Sequence, residues 1–170
     1  MRKYAAFFEW RDKCQKELGI VEELIVTLNA ISNLGLHSPL SFSPDPPDCI
    51  CLNASGQRVA LEVAEVVCEE ATRRNAQGDA VYREWRRGEL TAHVAEKLTE
   101  KDQKTFRGGP YGSIICCLFT DEPALEFDVA RQELHAARFG PFSNLTAAYL
   151  LFSYQPATQS YPAIELRLHQ

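Results

Sequence analysis

A chain of 170 residues, 45% of them hydrophobic and 24% charged, has the size and composition of an ordinary globular protein. We therefore expect a single domain over residues 1–170, with a core large enough to fold without disulfide or metal staples. The formal net charge of −5 argues against a protein coated in basic surface, although it leaves room for a local basic groove.

The sequence carries no targeting or membrane signal. No apolar run approaches the roughly 18 to 20 residues of a membrane span, and the N-terminus lacks the pattern of a signal peptide. The six cysteines include no CxxC pair, and no histidine lies at zinc-ligand spacing. We therefore expect a cytoplasmic protein without a membrane partner, whose cysteines are mostly small buried side chains.

Hydrophobic periodicity predicts an alternation of helices and strands. Helices are predicted over 4–33, within 69–88, and over 89–106 and 123–138; strands are predicted over 36–43, 48–53, 58–67, 113–120, 146–154 and 162–168. The apolar run 113–120 is typical of a central strand that is covered on both faces. The fold class that follows is α/β, with a central mixed β-sheet flanked by helices and an extra helix and hairpin at 123–168.

Two acidic residues interrupt stretches that are otherwise apolar. Asp48 follows Pro47 at the start of one predicted strand, and Glu62 lies midway along the next, between Ala60 and Ala64. A buried carboxylate is costly unless it is paired with a cation or bound to one, and the small alanines leave space beside Glu62. Both are candidate site residues. The alternatives are a turn or cap residue for Asp48 and a half-exposed, ion-paired strand residue for Glu62.

Basic residues follow on the next segments. A cluster between residues 73 and 87 interleaves arginines with Tyr82 and Trp85, and consists of Arg73, Arg74, Arg83, Arg86 and Arg87. It predicts phosphate contact with base stacking, or alternatively a solvated helix face with Glu–Arg pairs. On the predicted helix 89–106, Lys97 and Lys101 border the apolar stripe, so their ammonium groups can reach the sheet edge.

The order of these elements, with Pro47-Asp48 and Glu62-Val63-Ala64, resembles the PD-(D/E)XK nuclease superfamily over about residues 20–120. In that family a Pro-Asp is followed, across a hairpin, by Asp or Glu, any residue and Lys. Thirteen residues separate the two carboxylates here. This chain departs from the pattern at the lysine, because the matching position is Ala64.

In some members of the family the lysine lies on the neighbouring helix. The resemblance then implies that Lys101 is the catalytic lysine, with Lys97 and Lys104 as the next candidates. Its role would be to orient the attacking water or to stabilise charge on the phosphorane.

The resemblance further implies a restriction-endonuclease-like αβββαβ core and metal-dependent hydrolysis of phosphodiester bonds. Asp48, Glu62 and the carbonyl of Val63 would hold one or two Mg²⁺ or Mn²⁺ ions. A glutamate of the first helix, Glu22 or Glu23, would add a metal contact.

Nucleic acid, DNA rather than RNA, is the implied partner. The implied substrate-binding residues are Arg73, Arg74, Arg83, Arg86, Arg87, Lys97 and Lys104. Ala64 and the acidic net charge also fit a nuclease-fold protein that no longer cleaves and serves as a nucleic-acid- or protein-binding module. An unrelated α/β protein with incidental carboxylates stays open as well, and the first helix and the closing hairpin are each candidates for a homodimer face.

Overall fold

The computed structural model describes residues 12–79 and 84–169. Its elements, in chain order, are α1 (Lys13–Ile31), β1 (His37–Ser41), β2 (Cys49–Leu52), β3 (Arg58–Glu65), α2 (Glu69–Ala76), α3 (Glu89–Asp102), β4 (Ser113–Thr120), α4 (Phe127–Ala136), β5 (Ala147–Phe152) and β6 (Ala163–Glu165). Tyr82 and Arg83 of the basic cluster and residues 4–11 of the predicted first helix lie outside the described residues. No helix in the described part of the chain combines the length and the apolarity that crossing a bilayer requires.

The six strands form one open sheet whose spatial order is the chain order, from β1 to β6. β3, β4 and β5 run parallel to one another, while β1–β2, β2–β3 and β5–β6 are antiparallel pairs. Helices therefore connect the parallel strands, as parallel pairing requires. The predicted α/β class, the central and buried position of strand 113–120 and the closing hairpin are all confirmed.

Hydrophobic side chains bury both faces of this sheet. On one face α1 packs its apolar stripe against β1 to β4, and the stripe consists of Ile20, Val21, Leu24, Ile25 and Leu28. On the other face α3 and α4 cover β4 and β5, through Leu90, Val94, Leu98, Ala130 and Leu134. Because successive residues of a strand point to opposite faces, β3 contributes Val59, Leu61 and Val63 to the α1 side and turns Glu62 to the α3 side.

The last residue of α3 ties the end of that helix to the loop before β5. The Asp102 carboxylate accepts backbone hydrogen bonds from Ser143 (2.9 Å), Asn144 (2.7 Å) and Leu145 (2.9 Å), in the loop before β5. Burial alone would raise the pKa of Asp102, but these three bonds lower it below the ordinary aspartate value. The stability that these hydrogen bonds give to the folded protein is lost as the pH falls through the lowered pKa of Asp102. The helix ends at Asp102, four residues before its predicted end.

The cysteines give a direct test of this packing. Cys14 is exposed, whereas Cys49, Cys51, Cys68, Cys116 and Cys117 are buried and none of the six forms a disulfide. Burial raises the pKa of Cys49 and of Cys116 to about 12, which suppresses the reactive thiolate.

We expect one thiol of the native protein to react rapidly with a colorimetric disulfide reagent at mildly alkaline pH, and all six to react after denaturation. Cys14→Ser should remove the rapid phase and leave the melting temperature unchanged. Rapid reaction of two or more thiols in the native protein would contradict the packing described here.

Candidate metal centre

The β2–β3 hairpin brings together the two carboxylates that the sequence singles out. Its register pairs Cys49 with Leu61, so Asp48, immediately before β2, lies beside Glu62 and Val63 of β3. Asp48 Oδ2 accepts a hydrogen bond of 2.7 Å from the backbone N–H of Val63. The structure thus brings the amide of Val63 to Asp48, and the role of its carbonyl as a metal ligand stays a prediction.

Both carboxylates are buried. Glu62 is 0% exposed and Asp48 is 6% exposed. The small side chains of Ala60 and Ala64 flank Glu62 on the same face of β3, and Glu62 is the register partner of Cys116 on β4. Transfer of such groups out of water costs several kcal/mol per ion unless cations offset the cost. The identity of the compensating cations therefore decides what this site is.

Two lysines, Lys101 in the last turn of α3 and Lys104 two residues beyond the helix, supply part of that compensation. Lys101, only 7% exposed, places Nζ 2.7 Å from Glu62 Oε2 and 3.4 Å from Asp48 Oδ2. Burial alone would lower the pKa of Lys101, but the hydrogen bond to Glu62 and the charges of both carboxylates outweigh it and raise the pKa. Lys104 Nζ lies 2.8 Å from the same Glu62 oxygen. Lys97 instead lies 3.9 Å from Glu69 and does not contact these carboxylates.

A third carboxylate, which the sequence interpretation missed, belongs to the group. Oxygen atoms of Asp45, Asp48 and Glu62 all lie within 4.8 Å of one another. Asp45 is exposed, and the ammonium groups of Lys104 and Lys13 lie 3.8 Å from its oxygens. The signal was present in Asp45-Pro46-Pro47-Asp48, since two prolines restrict the chain between the two acids.

The glutamate of α1 nearest this group is Glu17, which was also missed. Its side chain is 12% exposed and pairs with Lys13 at 3.3 Å. Burial and then the charge of Asp48 raise the pKa of Glu17, although Lys13 opposes them. By contrast, Glu22 is exposed, and Glu23 lines a groove beside Tyr161. The signal for Glu17 was its place one turn before the buried stripe of α1.

The described residues fit a divalent cation. Glu62 Oε1 is buried and has no hydrogen-bond partner, while both lysines approach the other oxygen. An unpartnered buried carboxylate oxygen is rare and requires an explanation. Three carboxylates offer hard oxygen ligands, which Mg²⁺ and Mn²⁺ prefer. The acidic cluster of Asp45, Asp48 and Glu62 can therefore hold a metal ion.

Four of the five arginines of the basic cluster lie within the described residues. Arg73 and Arg74 are exposed on α2, where Arg74 Nε lies 3.4 Å from Asp79, and Arg86 and Arg87 are exposed before α3. No ion pair within 12–79 and 84–169 joins any of these arginines to the acidic cluster. Their role in holding a substrate stays a prediction.

Comparison with known proteins finds no family model that matches the chain, no curated protein that is significantly similar in sequence and no solved structure that matches significantly. What the structure shows is therefore a mixed α/β fold and the acidic cluster itself, and the resemblance to PD-(D/E)XK nucleases stays a prediction.

Proposed function

We propose that this protein is a metal-dependent nuclease that hydrolyses phosphodiester bonds at the acidic cluster. The observation that carries the proposal is the unpartnered, fully buried Oε1 of Glu62, within one cluster with Asp45 and Asp48. A structural ion pair has no need of a third carboxylate or of a free buried oxygen, whereas a metal centre uses both.

Asp45, Asp48 and Glu62 are the residues that would hold the ion. When bound, a divalent cation polarises a phosphoryl oxygen and lowers the pKa of a coordinated water. The N–H of Val63 fixes the orientation of Asp48, so this carboxylate needs no rearrangement before it binds. Lys101, held by packing at the end of α3, stabilises negative charge that develops on the phosphate.

The proposed substrate is nucleic acid, DNA in preference to RNA. Exposed Arg73, Arg74, Arg86 and Arg87 are available for phosphate contacts, and Lys97 and Lys104, which pair with Glu69 and Glu62, would add contacts on the α3 side of the site. Because such contacts release counterions, affinity for the substrate should fall steeply as the salt concentration rises.

One observation favours a second candidate, a nuclease-fold protein that binds nucleic acid or protein without cleaving it. The ammonium groups of Lys101 and Lys104 already lie within 2.8 Å of Glu62 Oε2, and the position of the family lysine is Ala64. The pairing with the two lysines alone would then offset the free-energy cost of burying the Glu62 carboxylate. The two candidates differ in whether a divalent cation stabilises the fold.

We expect saturating Mg²⁺ or Mn²⁺ to raise the melting temperature by roughly 3–8 °C, since a ligand at ten- to a hundredfold its Kd adds about 1.4–2.7 kcal/mol of stability. Asp48→Asn and Glu62→Gln should abolish this increase, because each removes a charged ligand while keeping the side-chain shape. Differential scanning fluorimetry in chelator and in metal measures the effect.

The matched control is Glu22→Gln, an exposed change on α1 that should keep the full increase. A wild-type melting temperature that is indifferent to both metals would reject the metal centre and support the binding module. An equal increase in all three variants would show a nonspecific ionic effect and would reject the metal centre.

We expect Lys101→Met to lower the single-turnover rate of metal-dependent DNA cleavage at least about 100-fold, since it removes a positioned cation from the reacting phosphate. It should also lower stability in chelator, by up to about 3–5 kcal/mol, because Glu62 loses one of its partners. The rate must therefore be measured well below the melting temperature of the variant.

Lys16→Met provides the control for that experiment, because Lys16 pairs with Glu65 on the opposite face of the sheet. It should keep the wild-type rate within about twofold. Cleavage by Lys101→Met at the wild-type rate would contradict the role assigned to Lys101.

A further inference from the structure

The sheet face that carries Glu62 is open at its β1–β2 end. Leu40, Ile50 and Ala60 are neighbours in register across β1, β2 and β3, so they share this face with Glu62. Leu40 is 60% exposed and Ile50 is half-buried, whereas Ala60 is fully buried. An accessible, partly apolar surface therefore runs inward from the edge of the sheet over β1 and β2, as far as the buried Ala60.

Two aromatic rings and a guanidinium form one corner of this surface. The Cζ atom of Arg58 lies 5.8 Å from the ring centroid of Phe42 and 5.2 Å from that of Tyr111. Arg58 also donates a hydrogen bond to the carbonyl of Gly108. A Cβ on Gly108 would lie 2.5 Å from the Phe42 ring, which is too close for a real side chain. Only glycine therefore allows the loop at residue 108 to pack this closely against Phe42.

This corner adjoins the acidic cluster. The N–H of Phe42 donates to the carbonyl of Asp48 at 3.0 Å, and the N–H of Arg107 donates to the carbonyl of Pro46 at 3.0 Å. Arg58 precedes Glu62 by four residues on the same strand face, a separation of about 13 Å. A chain of a few nucleotides spans that distance.

The charge of this corner suits a polyanion. Neither Arg58 nor Arg107 has a carboxylate within ion-pair distance in the part of the chain that the structure describes. Arg107 is exposed, and Arg58 and the two rings are half-buried. Guanidinium N–H groups held in this way bind phosphate oxygens in a fixed geometry.

We infer that Phe42, Arg58 and Tyr111 form a stacking subsite for unpaired bases, and that the substrate is therefore a single-stranded nucleic acid or a single-stranded end. The inference rests on the proposed nuclease function. The rings stack on exposed bases while Arg58 contacts the backbone, and the strand continues across Ile50 to the carboxylates. Duplex DNA keeps its bases stacked inside the helix and leaves the two rings without a partner.

The test is fluorescence anisotropy with a labelled oligothymidylate of about 20 nucleotides and a duplex of the same length, in chelator, where no metal-dependent cleavage occurs. We expect the single strand to bind at least about tenfold more tightly than the duplex. Tyr111→Leu and Phe42→Leu should each raise the single-strand Kd by about fivefold or more, the loss expected for one stacked base.

Tyr154→Leu is the matched control, because Tyr154 is a partly exposed aromatic residue near β6, at the other edge of the sheet. It should leave the Kd unchanged, and circular dichroism confirms that each variant is folded. Equal binding of duplex and single strand, or a loss no larger for Tyr111→Leu than for Tyr154→Leu, overturns the subsite.

Cleavage assays separate this inference from the proposed function. Selective single-strand binding in a protein that cleaves no oligonucleotide would support the subsite and reject the nuclease. Metal-dependent cleavage without any preference for single strands would reject the subsite and support the nuclease.

Discussion

The buried charge of Glu62 is the constraint on which the rest of this structure depends. A carboxylate that is 0% exposed in the second strand of a hairpin would be strongly destabilising by itself. The ammonium groups of Lys101, in the last turn of α3, and of Lys104, just beyond the helix, offset this cost at 2.7 and 2.8 Å from Glu62. Both ammonium groups approach Oε2 of Glu62, so Oε1 has no hydrogen-bond partner and can still coordinate a metal ion. That asymmetry turns a salt bridge into a candidate metal centre.

Much of this arrangement follows from sequence. Carboxylates in apolar strands are rare enough to mark Asp48 and Glu62, and a hairpin across a polar turn brings them side by side. The apolar stripe of the helix after them indicates that Lys101 faces the sheet, as the structure bears out. Glu62 is 0% exposed rather than half-exposed, although the lysine pairing of that alternative is present, and the alternative of a turn or cap role for Asp48 stays open.

Other members of the site carry only weak signals in the sequence, for physical reasons. Asp45 is exposed, so no burial signal marks it, and only the path of the loop brings it near Glu62. Glu17 looks like a solvated helix residue until the tilt of α1 against the sheet is known. The corner of Phe42, Arg58 and Tyr111 has no motif at all, since its members come from three segments that meet only through sheet register and the loop before β4.

The three backbone bonds that Asp102 accepts have a consequence for its neighbour. Lys101 precedes Asp102, so the ammonium that enters the acidic cluster is tethered through one peptide unit to the loop at residues 143–145. The C-terminal third of the chain supplies none of the three carboxylates, yet it sets the alignment of the amine that completes them. A substitution that displaces that loop would therefore shift the ammonium of Lys101 without altering any of the three carboxylates.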